Sequence, residues 1–347
     1  MRILMTVDAV GGVWTYALEL ARALPDARFA FAQMGPLPND AQRSEVALLP
    51  NVALFESEWK LEWQDEPWSD VDAAGEWLLE LERDWKPQVV HLNGYAHGAM
   101  PFRAPKLIVA HSCVLSWWGA VKGDAPLPAQ WDEYRYRVRF GLDGANAVVA
   151  PTRAFAREIE RLYHPHIPVE VVPNGAAPLP IEAQPREPFV LCVGRAWDEA
   201  KNFAALQEAA ARVPICLAGQ ADGFEARGLT LLGRLDRAAL GNQLARASAF
   251  AHPALYEPFG LAVLEAAQAG CALVLSDIPT LRELWDGAAV FCSPREGGEW
   301  AQTLEFLLTH PDECRALGER AQERAGKYSR AAFGAGYREV YERLKAV

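Results

Sequence analysis

Short apolar runs recur along the chain, and longer stretches with a helical apolar period separate them. The runs predict strands at 3–7, 29–34, 52–55, 89–92, 107–111 and 147–150. A second series follows at 189–193, 215–218, 229–232, 249–252, 272–275 and 288–291. Strands this continuous in apolar character, alternating with helices, indicate parallel sheets covered on both faces. Gly12 opens the first predicted helix, whose stripe is Val13, Ala17, Leu20, Ala21 and Leu24, and Pro25 ends it. Phe333, Tyr337, Val340, Tyr341 and Leu344 share one face of a predicted terminal helix, and such a stripe must pack on something.

Two strand series imply two doubly wound α/β domains, and 347 residues suit two cores better than one. Between the series lie Pro173, Asn174, Gly175, Pro178 and Pro180, a turn-rich stretch that reads as a linker. The expected organisation is therefore a first domain over 1–172, a linker over 173–188 and a second domain over 189–327. The terminal helix, 328–347, is expected to pack back towards the first domain. A cleft between two such domains is a favoured ligand site, because the carboxyl ends of both sheets can face it.

With 51% apolar and 23% charged residues the balance is that of a folded chain. Net charge is −11, and acids outnumber bases on both sides of residue 170. The basic footprint of a nucleic-acid binder or an anionic-membrane protein is absent from the sequence. No apolar run approaches the roughly 20 residues of a membrane span, and Asp8 interrupts the N-terminal run too early for a signal peptide. A cytoplasmic location without membrane association is expected. Six scattered cysteines form no C-x-x-C pair, so reduced, structural thiols without a metal site are expected.

The candidate chemistry begins with anion binding. Helix starts expose unpaired N–H groups and partial positive charge. Gly260 lies where the turn Glu257-Pro258-Phe259 enters a predicted helix at 261–269, letting backbone approach a phosphate. Arg195 and Lys201 span a predicted strand-to-helix loop, and the fork of Arg and the point charge of Lys could reach the same group. Gly11 and Gly12 form a comparable strand-to-helix corner in the first domain. Glu257 and Glu265 stand eight positions apart, which on one helix is about 80° beyond two turns. They converge on one ligand only if Glu257 sits in the loop and Glu265 in the helix.

In this order, Gly11-Gly12, His111, Pro173-Asn174-Gly175, Gly194-Arg195 with Lys201-Asn202, and Glu257 with Glu265 resemble the GT4-type retaining glycosyltransferases. The resemblance covers nearly the whole chain, and the E-x7-E segment with its Glu257-Pro258-Phe259-Gly260 opening is its most specific part. It implies the GT-B fold of two Rossmann-like domains. It also implies transfer of a sugar from a nucleotide-diphosphate sugar, UDP being the commonest base, to a hydroxyl acceptor with retention. Arg195 and Lys201 would hold the diphosphate, Glu265 the ribose and Glu257 the transferred sugar. Amides of Phe259, Gly260 and Leu261 would meet phosphate or sugar, Gly12 would approach the reaction centre, and backbone near Leu235 would meet the base. His111 would lie beside the donor sugar. A front-face displacement is implied, in which the departing diphosphate helps deprotonate the acceptor, and neither metal nor other cofactor is required. Many relatives carry a Gly-Gly pair after the strand that follows this segment; here Ser276-Asp277-Ile278 stands instead.

Acceptor contacts are expected from His91, Asn93, Tyr95 and His97 in a loop after a predicted strand, and from Trp117 and Trp118, whose faces could stack on a sugar. The segment 55–85 holds five tryptophans and eleven acids against two bases; it reads as a sugar platform or as an amphipathic helix with packed tryptophans, and its acidity opposes the rival reading of a membrane-interface patch. Three other readings compete. A non-catalytic nucleotide-sugar binder would not need all of His111, Arg195, Lys201, Glu257 and Glu265. A Rossmann oxidoreductase would need a G-x-G-x-x-G fingerprint, which Gly11-Gly12-Val13-Trp14 does not supply. Asp70-Val71-Asp72 has the D-x-D form of a metal-dependent transferase but follows no predicted strand.

Overall fold

Every strand in both sheets runs parallel to its neighbours, as the continuous apolar runs predict. The computed structural model describes residues 1–182 and 184–346; Ala183 in the predicted linker and Val347 in the predicted terminal helix lie outside the described residues. The first sheet holds β1 (Arg2–Asp8), β2 (Arg28–Met34), β3 (Val52–Phe55), β4 (Val89–Leu92), β5 (Lys106–Val109), β6 (Ala147–Ala150) and β7 (Val169–Val171). The second holds β8 (Glu187–Val193), β9 (Ile215–Ala218), β10 (Thr230–Gly233), β11 (Ala247–His252), β12 (Ala272–Ser276) and β13 (Val290–Cys292). β7 was not predicted, being three residues long with Glu170 at its centre. β5 stops at Val109, short of the predicted 107–111, so His111 belongs to the loop beyond it. The predicted 229–232 and 288–291 strands lie one and two residues later.

The chain divides into two compact units, one of Met1–Gly119, Asp124–Gly175 and Arg330–Val347, the other of Ala120–Gly123 and Ala176–Ser329. Side chains alternate between the two faces of a strand. In the second sheet Leu191, Leu273 and Leu275 therefore enter one apolar cluster, and Val190, Cys192 and Val274 the other. Among the described residues, no helix is long and apolar enough to cross a membrane.

Strand order fixes where each sheet can bind a ligand. The first runs β3-β2-β1-β4-β5-β6-β7 and the second β10-β9-β8-β11-β12-β13. Order reverses between β1 and β4, and again between β8 and β11. At such a point the connections leave neighbouring strands in opposite directions and open a crevice at their carboxyl ends. Gly11, Gly12 and Asn93 follow β1 and β4; Arg195, Lys201, Glu257 and Gly260 follow β8 and β11.

The helix Arg330–Lys345 completes the first unit. It packs on the helix Gly12–Ala23 and buries Phe333, Tyr337, Val340, Tyr341 and Leu344 in the first core. Close approach requires Gly334, where a Cβ would stand 2.7 Å from that of Ala23. Beside this contact Arg330 grips the buried carboxylate of Glu19 at 2.7 and 3.1 Å, and Arg22 donates to it at 3.0 Å.

Candidate functional site

At the switch point of the second sheet three side chains meet. Lys201 Nζ donates to Glu257 Oε2 at 2.7 Å, and His252 Nε2 donates to the same oxygen at 3.0 Å. Lys201 ends a 3-10 turn after β8, Glu257 lies in the loop after β11, and His252 is the last residue of β11. Burial pushes the Glu257 carboxyl up, but the Lys201 charge and the His252 bond outweigh it and hold it well below the usual carboxylate range. Burial pushes His252 down against the pull of Glu257, so it is neutral near pH 7. Its Nδ1 has no hydrogen-bond partner among the described residues, which fits the tautomer with the proton on Nε2.

The loops that present this cluster are held by backbone bonds. Thr280 Oγ1 donates to the carbonyl of Glu257 at 2.6 Å. Asn202, in the left-handed region at φ 53°, donates from Nδ2 to the carbonyls of Pro253 and Pro294. It thereby ties the loop after β8 to the one after β11. Asp198 caps the 3-10 turn by accepting from Ala200 N–H at 3.1 Å and takes Arg195 Nη2 at 3.1 Å with its other oxygen. The Arg195 guanidinium also covers the Trp197 ring at 4.9 Å. It remains over a third exposed, so it can meet a ligand.

Glu257 does sit in the loop and Glu265 in the helix Leu261–Gln268. That helix starts at Gly260, whose φ of 87° is natural only to glycine, with no side-chain cap. Its first amides have no partner in the helix and face the start, an anion-binding arrangement. A Cβ on Gly260 would lie 3.3 Å from Glu257 Cγ. Phe259 is buried against Tyr328, while Leu261 is half-buried on the apolar cluster below. Glu265 lies 3.7 Å from Arg237 Nη1, and Leu235 precedes the helix Arg237–Arg246.

The first unit carries a second polar cluster at its own switch point. Asn93 Nδ2 donates to the Thr6 carbonyl at 2.6 Å, which turns Oδ1 towards two histidines. His111 Nε2 donates to that Oδ1 at 2.8 Å and His91 Nε2 approaches it at 3.1 Å. His91 Nδ1 is 2.6 Å from Tyr341 Oη, so the terminal helix reaches the network. Tyr16 packs edge-on against His111 at 4.4 Å. Loss of solvent pushes both imidazoles down to about 3, His91 further opposed by the nearby His111, so both are neutral near pH 7. Gly11 and Gly12 are exposed, and Gly11 has a φ of 87°.

Four of the expected acceptor contacts change character here. His91 is fully buried, and His97 is buried with Nε2 on the Val71 carbonyl at 2.9 Å; both serve the interior. Tyr95 is buried with its hydroxyl on the Ser112 carbonyl at 2.9 Å. Asn93 remains half-buried beside His111 but is engaged by Thr6. Glu62, which the sequence did not single out, fixes this loop by accepting from the amides of Tyr95 and Ala96. Trp117 and Trp118 are half-buried on the helix Val114–Lys122, and Trp118 Nε1 donates to the Ala125 carbonyl. Asp70 and Asp72 lie in the first turns of the helix Trp68–Trp85, where Asp72 pairs with Arg137. Four of the five tryptophans of 55–85 are half-buried; Trp63 alone among them is 46% exposed.

Comparison with known proteins agrees with this architecture. Residues 10–178 match the family Glycosyltransferase Family 4, and residues 180–324 match Glycosyl transferases group 1. A glycogen synthase of Mycobacterium tuberculosis (strain H37Rv) is 27% identical over 284 residues, 71% of this chain and 66% of that protein. A phosphatidyl-myo-inositol mannosyltransferase of Mycolicibacterium smegmatis is 32% identical over 198 residues, 49% of this chain and 51% of that protein. The match thus spans under two thirds of each of these relatives. Among solved structures, sucrose-phosphate synthase from Thermosynechococcus elongatus superposes with a TM-score of 0.80 at 18% identity, covering 100% of this chain and 99% of that one. Anabaena HepE, in complex with UDP-glucose, gives 0.76 at 16% identity, covering 99% and 100%. The fold is GT-B.

Proposed function

From a chain that carries a Glycosyltransferase Family 4 region followed by a Glycosyl transferases group 1 region on the GT-B fold, we propose that it moves a sugar from a nucleotide-diphosphate sugar to a hydroxyl acceptor, with retention. The observation that carries this reading is the convergence of Lys201 and Glu257 with the uncapped helix start at Gly260, at the switch point between β8 and β11. Lys201, Arg195 and the amides of Phe259, Gly260 and Leu261 bind the diphosphate; Glu265 accepts from the ribose, and backbone near Leu235 meets the base. Glu257, kept anionic, accepts from hydroxyls of the transferred sugar. His111, neutral and oriented by Asn93, is the polar side chain that the first unit offers a ligand at its own switch point. Gly11 and Gly12 leave room at the helix start beside it, and Trp117 and Trp118 are the aromatic faces offered to the acceptor.

In this reaction the bond from the anomeric carbon to the phosphate oxygen breaks, and a bond to the acceptor oxygen forms on the same face. The acceptor proton passes to the departing diphosphate. Catalysis rests on cations and helix amides already aimed at the charge that develops there. The chain's own groups supply this stabilisation in the proposal, without a metal. UDP is the first base to test, since HepE on the same fold was captured with UDP-glucose.

Thermal melting with UDP, GDP, ADP and their sugar derivatives tests the reading. One nucleotide family should raise the melting temperature, and Lys201→Ala should abolish the rise. A rise that persists undiminished in that variant overturns the diphosphate assignment.

A further inference from the structure

Glu257 Oε2 receives two donors of different kinds. Lys201 supplies a mobile charge from a half-buried side chain, whereas His252 is 1% exposed, ends β11 and lies parallel to Phe250 two residues before it. If Lys201 serves the diphosphate as proposed above, its ammonium must be shared with or surrendered to phosphate oxygens when donor binds. A carboxylate as buried as that of Glu257 would then lose its strongest partner, and an unpaired buried charge reorients or takes up a proton. His252 cannot follow Lys201, because its ring is fixed by the strand. Both donors use Oε2, which leaves Oε1 for a ligand.

We propose that His252 is the positioning residue for Glu257: its Nε2–H holds Oε2 when Lys201 turns to the diphosphate, so that Oε1 remains set for a hydroxyl of the donor sugar. The inference rests on the donor-binding reading of this site. It predicts a division of labour, with Lys201 serving the nucleotide diphosphate and His252 serving only the sugar.

The experiment compares binding of UDP with UDP-glucose, and of GDP with GDP-mannose, to the full chain by calorimetry. His252→Leu should leave nucleoside diphosphate affinity within about twofold while weakening the sugar-bearing partner about tenfold, the effect of one hydrogen bond to a charged group. His252→Gln, whose amide can donate from near the Nε2 position, should recover most of that loss. Equal weakening of both ligands would make His252 a mere support of the lobe, and an unchanged sugar contribution would remove it from the site; either overturns the inference. Should His252→Leu not fold, nitrogen NMR of the wild-type ring decides instead. A proton kept on Nε2 with UDP-glucose bound supports the inference, and a proton on Nδ1 overturns it. Wild-type protein that binds none of these ligands overturns the donor reading itself, a result distinct from normal binding with an indifferent His252.

Discussion

At the scale of single residues, the decisive feature is how Glu257 stays charged while almost out of water. Its folded pKa is depressed, so the pairing contributes stability that is fully present above the ordinary carboxyl value of 4.5 and is lost as pH falls below it. In Lys201→Ala burial acts with less opposition, and the same carboxylate becomes a burden at neutral pH. The gap in melting temperature between wild type and Lys201→Ala should therefore be widest near pH 7 and narrow towards pH 3. A gap independent of pH would mean that Lys201 stabilises by packing alone. Lys201, Glu257, Arg195 and Gly260 were legible in the sequence because the spacing of a strand, a turn and a helix places them. His252 was equally legible in principle, since it ends an apolar strand as His111 was expected to. A lone histidine shows its partner only in three dimensions, so nothing in the sequence alone pairs it with Glu257. His91 and His97 show the converse: polar residues after a strand suggested a ligand pocket, but long-range partners, Tyr341 and Val71, turn them inwards.

At the scale of elements, the helix Leu261–Gln268 must start where backbone, not a side chain, faces the ligand. Gly260→Ala would force an alanine to φ 87° and set its Cβ 3.0 Å from Val263 Cγ2 and 3.3 Å from Glu257 Cγ. The expected cost is about 1–2 kcal/mol of stability from the left-handed backbone. Displacement of Glu257 and the first amides should add a loss of nucleotide affinity of about tenfold or more. Urea unfolding and calorimetric titration with UDP measure the two effects separately; unchanged affinity in a destabilised variant would remove the helix start from the binding site. Strand positions were readable to within a residue or two, because buried parallel strands must be apolar on both faces. β7 escaped because three residues with a glutamate at the centre carry too little of that signal. The tryptophan-rich stretch stays ambiguous in the sequence for another reason: composition alone does not separate a ring that stacks on sugar from one like Trp68, which is covered by Arg137 at 4.8 Å.

For the whole molecule, the order of the chain and the order of assembly differ. The first unit is built from 1–119, 124–175 and 330–347, so its last element is synthesised after the entire second unit. That element is not an accessory. Burying Phe333, Tyr337, Val340, Tyr341 and Leu344 at about 1.5–3 kcal/mol each contributes about 8–15 kcal/mol, as large as the net stability of a typical domain. Tyr341 also carries the bond to His91, and through Asn93 that network reaches His111, so the same helix supports the chemistry expected of the first unit. A chain ending at Ser329 should therefore lack a cooperatively folded first unit. Limited proteolysis read by mass spectrometry should find cleavage within 1–175 under conditions that leave the full chain intact. Tyr341→Phe, which keeps the ring and removes the hydroxyl, should cost only about 1 kcal/mol and remain resistant. Equal resistance of the truncated and full chains would show that the first core closes without the terminal helix, and the path from Tyr341 to His111 would then carry no weight.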